Sequence, residues 1–307
     1  MPATAASPHA RHVLLGTNAI GDEGALTVAR ALAEGHGLRT LYLGCNRIGP
    51  DGVTALADAL SADGTVRALW LKRNPVGDDG VTALAAMLRR NTTLRTLDLV
   101  NTGATTASLR LLLDALTGRP HPVERLFLGG NGLTADSAEL LAAFVRDAGV
   151  RELYLPANHL GDRGAAVLAA AAAGSAHPVR LGLGGNGIGP AGARALADAL
   201  GGIEALDLGR PMSERSLGAP ANATGDDGAH ALASALPGSP CAGWSCATPA
   251  SPDAARSPPG GCPGRLPAGV RRPGPRPAPQ GEALLHPASA AHDRRPPRPA
   301  RDRSVYR

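Results

Sequence analysis

The chain has 307 residues, enough for one large domain or two small ones, and a formal net charge of +5 at pH 7. Its 2 Phe, 2 Trp and 3 Tyr exclude a core built on large rings, and its 4 Cys exclude a disulfide scaffold. Every apolar stretch is far shorter than the ~20 residues that span a bilayer. The abundance of Ala, Gly, Pro and Arg indicates a bacterial gene of high G+C content. We therefore expect a cytoplasmic protein without membrane association.

A repeated pattern with a period of 28 residues follows a start (1–9) that we predict to be disordered. The pattern is clear when LYLGCNRIGPDG (41–52) is aligned with LWLKRNPVGDDG (69–80). About eight copies fill residues 10–236, and each has a marker asparagine except the fourth, where Thr102 takes its place. The markers are Asn18, Asn46, Asn74, Asn131, Asn158, Asn186 and Asn222. Such regularity predicts a solenoid of stacked repeats.

Each copy of the pattern predicts one short strand, one turn and one helix. Leu41 and Leu43 alternate with Tyr42, so both leucines should lie on the buried face of a strand. The marker asparagine turns the chain, and its amide can bond backbone groups and form a ladder between repeats. A helix such as Val53–Leu60 follows, with apolar residues four apart facing the strand. Because one unit cannot bury its own apolar face, the copies must stack.

This pattern resembles the leucine-rich repeat family, and within it the ribonuclease-inhibitor-like class of 28-residue repeats. Residues 41–60 (LYLGCNRIGPDGVTALADAL) and their copies carry the resemblance over about three quarters of the chain. The resemblance implies an α/β horseshoe with a concave parallel sheet and convex helices. We accordingly expect a non-catalytic scaffold that binds an unidentified protein partner, with no cofactor and no metal.

The residue between the two leucines of each strand should face the concave surface. This column contains four of the five aromatic residues that precede residue 237. It reads Leu14, Tyr42, Trp70, Asp98, Phe127, Tyr154, Gly182 and Asp207. Because adjacent strands are ~4.8 Å apart, Asp98 should separate the two aromatic residues before it from the two after it. Grouped exposed aromatics predict a partner-binding surface, although aromatics also favour strands in general.

Polar residues beside this column complete the predicted binding surface. They are Lys72, Arg73, Arg125 and Glu152, with Asp98 inside the column itself. Solvated charges on a polar sheet face explain each of them equally well. A second hypothesis is a regulator of a GTPase, since the same repeat class occurs in GTPase-activating proteins. Arg47 and Arg73 would then be the loop residues that act on the nucleotide.

The ends of the array and its last repeat depart from the pattern. Repeat eight carries an insertion at about residues 209–221, which should bulge from the strand-to-helix loop at one rim. The pattern starts close to residue 1 and the eighth helix ends at Leu236, so we expect neither end of the sheet to have a capping unit. We expect a monomer unless these bare ends pair.

The composition changes from Pro237 onward. Residues 237–307 hold 16 Pro and 11 Arg against 4 acidic residues, which predicts a disordered basic tail. Nucleic-acid binding through this tail is a third hypothesis, although we do not expect nucleic acid as the partner. A zinc site formed by Cys241, Cys246 and Cys262 is a further alternative. Another alternative is that the whole tail is a reading-frame artefact.

Overall fold

One parallel sheet runs through the repeats in chain order. In this computed structural model the described residues are 9–33, 36–209, 217–237, 239 and 243–245, all within the compact unit Met1–Ala254. Each strand pairs with the next along the chain. The strands are β1 (His12–Leu14), β2 (Thr40–Tyr42), β3 (Ala68–Trp70), β4 (Thr96–Asp98), β5 (Arg125–Phe127), β6 (Glu152–Tyr154), β7 (Val179–Gly182), β8 (Ile203–Asp207) and β9 (Gly243–Ser245).

A helix follows each of the first eight strands, and each helix packs on the helix of the next repeat. The helices are α1 (Gly21–Ala33), α2 (Pro50–Leu60), α3 (Gly77–Leu88), α4 (Thr106–Leu116), α5 (Ala138–Asp147), α6 (Gly161–Ala173), α7 (Pro190–Asp198) and α8 (Gly225–Ala235). Short 3-10 turns, Ala135–Ser137 and Leu200–Gly202, precede α5 and follow α7. This alternation confirms the predicted α/β solenoid.

The core lies between the sheet and the helices and is almost entirely aliphatic. Leu41 and Leu43 of the second repeat are both 0% exposed, and they pack with helix residues such as Leu56. Phe144 on α5 is the one aromatic ring among the buried core residues that the structure describes. Burial of each such leucine contributes about 2 kcal/mol, so the repeated leucines are the main stabilising element of the fold.

The marker asparagines form a hydrogen-bonded ladder along the turns. Asn74 Nδ2 donates to the carbonyl oxygens of Leu43 and Leu71, each at 2.9 Å. Its Oδ1 accepts from the backbone N–H groups of Asn46 (2.8 Å) and Ile48 (3.1 Å). Each marker side chain therefore completes the turn of the preceding repeat. In the fourth repeat the Thr102 hydroxyl replaces the amide and donates to the Leu99 carbonyl at 2.8 Å.

Aspartates at the helix starts link the repeats in the opposite direction. Asp22 on α1 accepts through Oδ1 from the N–H groups of Gly49 (2.6 Å) and Gly52 (3.1 Å), which belong to the start of α2. Asp162 on α6 does the same for the start of α7. These carboxylates satisfy N–H groups that the first helical turn leaves unpaired. They thereby fix the stacking of consecutive repeats.

The C-terminal edge of the sheet differs from the prediction. Strand β9 lies in the segment predicted to be a disordered tail, and it pairs in parallel with β8. The sheet therefore continues past the eighth repeat instead of ending at a bare β8. The rest of the predicted tail lies mostly outside the described residues, as do residues 1–8 and the three cysteines of the zinc alternative. At the other edge, Leu14 on β1 is 68% exposed.

The described part of the repeat-eight insertion turns back over earlier repeats. Residues 210–216 lie outside the described part, but Leu217 lies against the turn of the fifth repeat. A Cβ added to Gly130 would be only 2.5 Å from Leu217 Cδ1, so this position accommodates only glycine while Leu217 stays in place. Pro220 also accepts a hydrogen bond from the Gly187 N–H at 3.1 Å. The described part of the insertion thus lies along the rim where strands pass into helices.

Candidate binding face

Four aromatic rings form one continuous row on the side of the sheet opposite the helices. We call Tyr42, Trp70, Phe127 and Tyr154 the aromatic row, and this side of the sheet the sheet face. The ring centroids of consecutive members are 6.1, 5.3 and 5.6 Å apart, and the ring planes are tilted by 34–56°. All four side chains are half-buried, so each leaves part of its surface open to solvent. Tilted rings at this spacing attract one another beyond their simple burial.

The expected break in this row at Asp98 does not exist. Asp98 is 2% exposed, and the rings of Trp70 and Phe127 meet above it. The sheet register places Asp98 between these two residues on the neighbouring strand. The short aspartate leaves a gap that two longer side chains can bridge. Asp98 is therefore buried beneath the row, whereas the sequence analysis expected it to be open to a partner.

Burial gives Asp98 unusual electrostatics. Desolvation raises the pKa of its carboxyl to about 6 from an ordinary 3.8. A hydrogen bond from the Val100 N–H to Oδ1, at 2.9 Å, and the positive charge of Lys72 partly offset this rise in the pKa. The sheet face therefore holds, beneath an apolar cover, a carboxyl group that loses its proton near pH 6.

Glycines make room for the two ends of the aromatic row. A Cβ on Gly182 of β7 would lie 2.3 Å from Tyr154 Cδ2, because the tyrosine ring lies over that glycine. A Cβ on Gly16 would lie 2.4 Å from Tyr42 Cε1 at the other end. The two terminal rings therefore lie in places that a larger side chain at these positions would occupy. These glycines set the position of the outer rings.

The four charged residues predicted to flank the row take different positions. Lys72 Nζ lies 5.7 Å from the centroid of the Tyr42 ring, in range of a cation–π interaction. Arg73 is exposed on the turn, with a left-handed backbone (φ 55°). Arg125 is exposed, and its Nε donates to Thr96 Oγ1 at 3.1 Å. Glu152 is half-buried and is paired in register with Arg125. All four border the row and leave its centre apolar.

The marker asparagines lie apart from this face, inside the turns. Asn46, Asn74, Asn158 and Asn186 are buried, and only Asn18 at the start of the ladder is exposed. Asn131 and Asn222 also donate from Nδ2 to carbonyl oxygens of their own and the preceding repeat. Their role in the described structure is therefore to hold the turns that carry the strands.

Comparison with known proteins identifies the repeat. A leucine-rich repeat family model matches residues 37–57, 65–85 and 179–197, which cover the strand and most of the helix of the second, third and seventh copies. The chain is a leucine-rich repeat protein. The ribonuclease-inhibitor-like class stays a prediction. A search of curated proteins finds no match to the chain.

Solved structures give a distant likeness to this leucine-rich repeat protein. Of 69 matching chains, one is "Leiomodin-1 Actin-Binding Site 2 (ABS2)", with 20% sequence identity and a TM-score of 0.35. The match covers 41% of this chain and 72% of that chain. At this distance the likeness carries no information about what the present protein binds.

A second row of side chains on this leucine-rich repeat protein escaped the sequence analysis. Arg11, Arg39, Arg67 and Arg95 recur every 28 residues, each directly before the first residue of a strand. The Arg39 N–H donates to the Arg11 carbonyl (2.7 Å), and Arg67 and Arg95 repeat this bond down the stack, each at 2.8 Å. We call these four residues the arginine row. Their 28-residue spacing is visible in the sequence, but they lie directly before the strands and therefore outside the column between the two strand leucines.

The part of the chain that the structure describes lacks both a clustered set of metal ligands and a membrane-spanning helix. No cluster of three or more His, Cys, Asp or Glu residues there has the geometry to hold a metal ion. None of the helices in the described ranges combines the length and apolarity that a membrane span requires. Arg47 is exposed on its turn with a left-handed backbone (φ 61°), as Arg73 is.

Proposed function

We propose that this leucine-rich repeat protein binds a protein partner through its sheet face, with the aromatic row at the centre of the contact. One observation carries the proposal. Five aromatic residues precede residue 237, and four of them stand in consecutive contact on one solvent-facing surface. An aliphatic core does not require them there, since the strands are anchored by leucines such as Leu41 and Leu69.

The surroundings of the row support a protein as the ligand. Binding energy at protein interfaces concentrates in a few central aromatic side chains, and polar groups at the rim exclude water. Here Lys72, Arg73, Arg125 and Glu152 provide such a rim around half-buried rings. The rings already pack on one another, so a partner would meet a surface that needs little ordering. Low ordering cost favours affinity.

We further propose that the protein is a scaffold rather than an enzyme. We also propose that it acts in the cytoplasm, where the free thiol of Cys45 would remain reduced. The GTPase-regulator hypothesis stays a prediction that rests on the exposed Arg47 and Arg73. This hypothesis predicts that the protein stimulates GTP hydrolysis by a GTPase and that Arg73→Ala abolishes the stimulation.

The test is quantitative capture of partners by the immobilised full chain. We compare the wild type with the double variant Trp70→Ala/Tyr154→Ala, which removes one inner and one end ring of the row. The expected result is at least a tenfold lower recovery of one or more proteins with the double variant. Circular dichroism and thermal unfolding of both baits show that each is folded.

A matched control removes exposed apolar side chains from the helix side. Leu26 and Leu111 are 38% and 39% exposed on α1 and α4, so Leu26→Ala/Leu111→Ala removes exposed apolar surface away from the sheet face. Recovery should stay at the wild-type level. Equal recovery by the aromatic variant and the wild type would overturn the proposal.

A further inference from the structure

The arginine row places a line of positive charge along one end of the strands. The backbones of its members are joined by hydrogen bonds from strand to strand, so neighbouring arginines are set ~4.8 Å apart. Arg11, Arg39 and Arg67 are exposed, and Arg95 is half-buried. Like charges on neighbouring strands repel one another, and an anionic partner would relieve that repulsion.

Few groups within the described structure neutralise this line. Four ion pairs among the described residues join His36 to Asp63, Arg163 to Asp136, Arg180 to Glu204 and Arg194 to Asp227, and none of these four includes the row. Arg11 and Arg95 instead donate to uncharged backbone carbonyls, such as those of Gly37 (3.1 Å) and Thr92 (2.7 Å). Burial, and to a smaller extent the positive charge of Arg95, lowers the pKa of Arg119.

The arginine row runs beside the aromatic row at a fixed distance. Arg39 precedes Tyr42 by three residues, and Arg67 precedes Trp70 by three. At about 3.3 Å per residue along a strand, the two backbone lines lie roughly 10 Å apart. A polypeptide segment that crosses the ends of the strands could place apolar side chains on the rings and bring carboxylates to the exposed arginines. Guanidinium groups bind carboxylates with two parallel hydrogen bonds, which adds geometric selectivity.

We infer that the partner presents an acidic segment with apolar side chains, which docks along the aromatic and arginine rows together. The inference rests on the proposed function and specifies the chemistry of the partner. The chain's own residues 237–307 have 11 Arg against 4 acidic residues and share the sign of the row, so they are not the occupant.

An acidic polypeptide fits better than a nucleic acid. Glu124 takes the next place after Arg95 in the same line, and the Arg151 N–H donates to its carbonyl at 2.8 Å. A continuous phosphate backbone that follows the line would meet this carboxylate, whereas a polypeptide can set its charges only where arginines stand. The rings of the aromatic row also pack directly on one another, which leaves no gap between them for a base.

The test uses a displayed library of random 16-residue peptides selected on the full chain. We expect the enriched peptides to be rich in Asp and Glu and to contain at least one aromatic or large aliphatic residue. The best peptide is then synthesised with a fluorescent label, and its Kd is measured by anisotropy. The double variant Arg39→Glu/Arg67→Glu should weaken binding at least tenfold, and so should replacement of the peptide's acidic residues by Gln or Asn.

A control with the same charge change separates this effect from net charge. Arg30 on α1 and Arg110 on α4 are exposed on the helix side, so Arg30→Glu/Arg110→Glu should leave the Kd within twofold of the wild type. Trp70→Ala/Tyr154→Ala should also weaken binding, because the proposed function requires the rings. Binding that depends on the rings but not on Arg39 and Arg67 would overturn this inference alone.

Three further results would contradict the docking of an acidic segment. A selection that enriches peptides without acidic residues, or that enriches none, overturns the inference. Binding of a labelled oligothymidylate more tightly than the best peptide, with loss in the Arg39→Glu/Arg67→Glu variant, assigns the row to nucleic acid and likewise overturns it. Binding that ignores both rows contradicts the proposed function as well.

Discussion

The rings of Trp70 and Phe127 meet, with centroids 5.3 Å apart, although β4 separates their strands. Alternate strands lie roughly 10 Å apart, so the two side chains must lean toward each other across Asp98. The contact joins the third repeat to the fifth, whereas solenoids are held mainly by contacts between adjacent repeats. It also removes a carboxyl group from water.

Asp98 should make the stability of the protein depend on pH. Because its folded-state pKa is raised to about 6 from 3.8, the folded state binds the proton more tightly than the unfolded state. The free energy of unfolding should therefore fall as the pH rises from about 4 to about 6, by about 3 kcal/mol. Asp98→Asn remains neutral and can still accept from Val100. In urea titrations it should match the wild type near pH 4 and exceed its stability by up to about 3 kcal/mol at pH 7.5.

Asp207 provides the control for this prediction. It occupies the same column on β8 and accepts a similar bond from the Gly209 N–H at 2.8 Å, but it is half-exposed. Asp207→Asn should change the unfolding free energy by less than about 0.5 kcal/mol at either pH. A wild type whose stability does not fall between pH 4 and 7.5 relative to Asp98→Asn would contradict the burial of this carboxyl.

Gly182→Ala should displace the Tyr154 ring without removing it. The new methyl group would lie 2.3 Å from the ring, so the ring must rotate away from the sheet. The ring is a side chain that can move, so the loss of stability should stay near 1 kcal/mol. Binding of the partner or of the selected peptide should weaken severalfold, as measured by anisotropy.

The matched substitution is Gly201→Ala in the turn Leu200–Gly202. A Cβ at that position meets no atom within 4 Å, so both stability and binding should be unchanged. If Gly182→Ala also binds like the wild type, the position of the Tyr154 ring does not matter for recognition.

Asn74→Ala should remove four hydrogen bonds in the middle of the ladder. It leaves the carbonyls of Leu43 and Leu71 and the N–H groups of Asn46 and Ile48 without this partner. Because unsatisfied buried groups are costly, we expect a loss of about 3–5 kcal/mol in the free energy of unfolding. Chemical denaturation followed by circular dichroism measures it.

Two companion variants sharpen this result. Asn18→Ala removes the exposed first member of the ladder and should cost less than about 1 kcal/mol. Asn74→Thr should recover part of the loss, because Thr102 already serves in the fourth repeat with its hydroxyl bonded to Leu99. Equal losses at Asn18 and Asn74 would mean that the ladder contributes nothing beyond local turn structure.

Asp22→Ala should loosen the junction between the first two repeats by about 1 kcal/mol, since its carboxylate accepts from Gly49 and Gly52 at the start of α2. Asp226 occupies the same position at the start of α8, and the structure describes no helix beyond α8 for it to cap. Both aspartates interact equally with their own helix dipole, so the difference between Asp22→Ala and Asp226→Ala isolates the link between repeats. Thermal unfolding of the two variants should give a lower Tm for the first. Equal Tm values would contradict the link.

The repeat pattern predicts the fold well because the same strand, turn and helix positions recur in nearly every copy. The Leu–x–Leu strand, the marker Asn and the helix each recur in register, so Leu41, Asn74 and their counterparts are recognisable without a structure. The aromatic column follows from the same register. The burial of Asp98 does not, because it depends on how far the neighbouring rings lean across a shorter side chain.

Features without a repeat counterpart are the hardest to predict. The contact of Leu217 with Gly130 joins the eighth repeat to the fifth through an insertion that has no equivalent in other copies. Strand β9 comes after the last recognisable marker, in a segment whose composition indicates disorder. The arginine row, in contrast, could have been predicted from the sequence, since Arg11 and Arg39 share the 28-residue period of the leucines.

The direction of the asparagine ladder has a consequence during synthesis. Asn46 bonds the carbonyl of Leu15, and Asn74 bonds that of Leu43, so each turn is completed by a residue of the following repeat. On the ribosome that residue is added only after roughly 28 more have been joined, which takes about 1–6 s at ordinary translation rates. A growing chain therefore always carries one incomplete turn at its newest repeat, and that open turn moves forward by one unit each time a marker asparagine emerges.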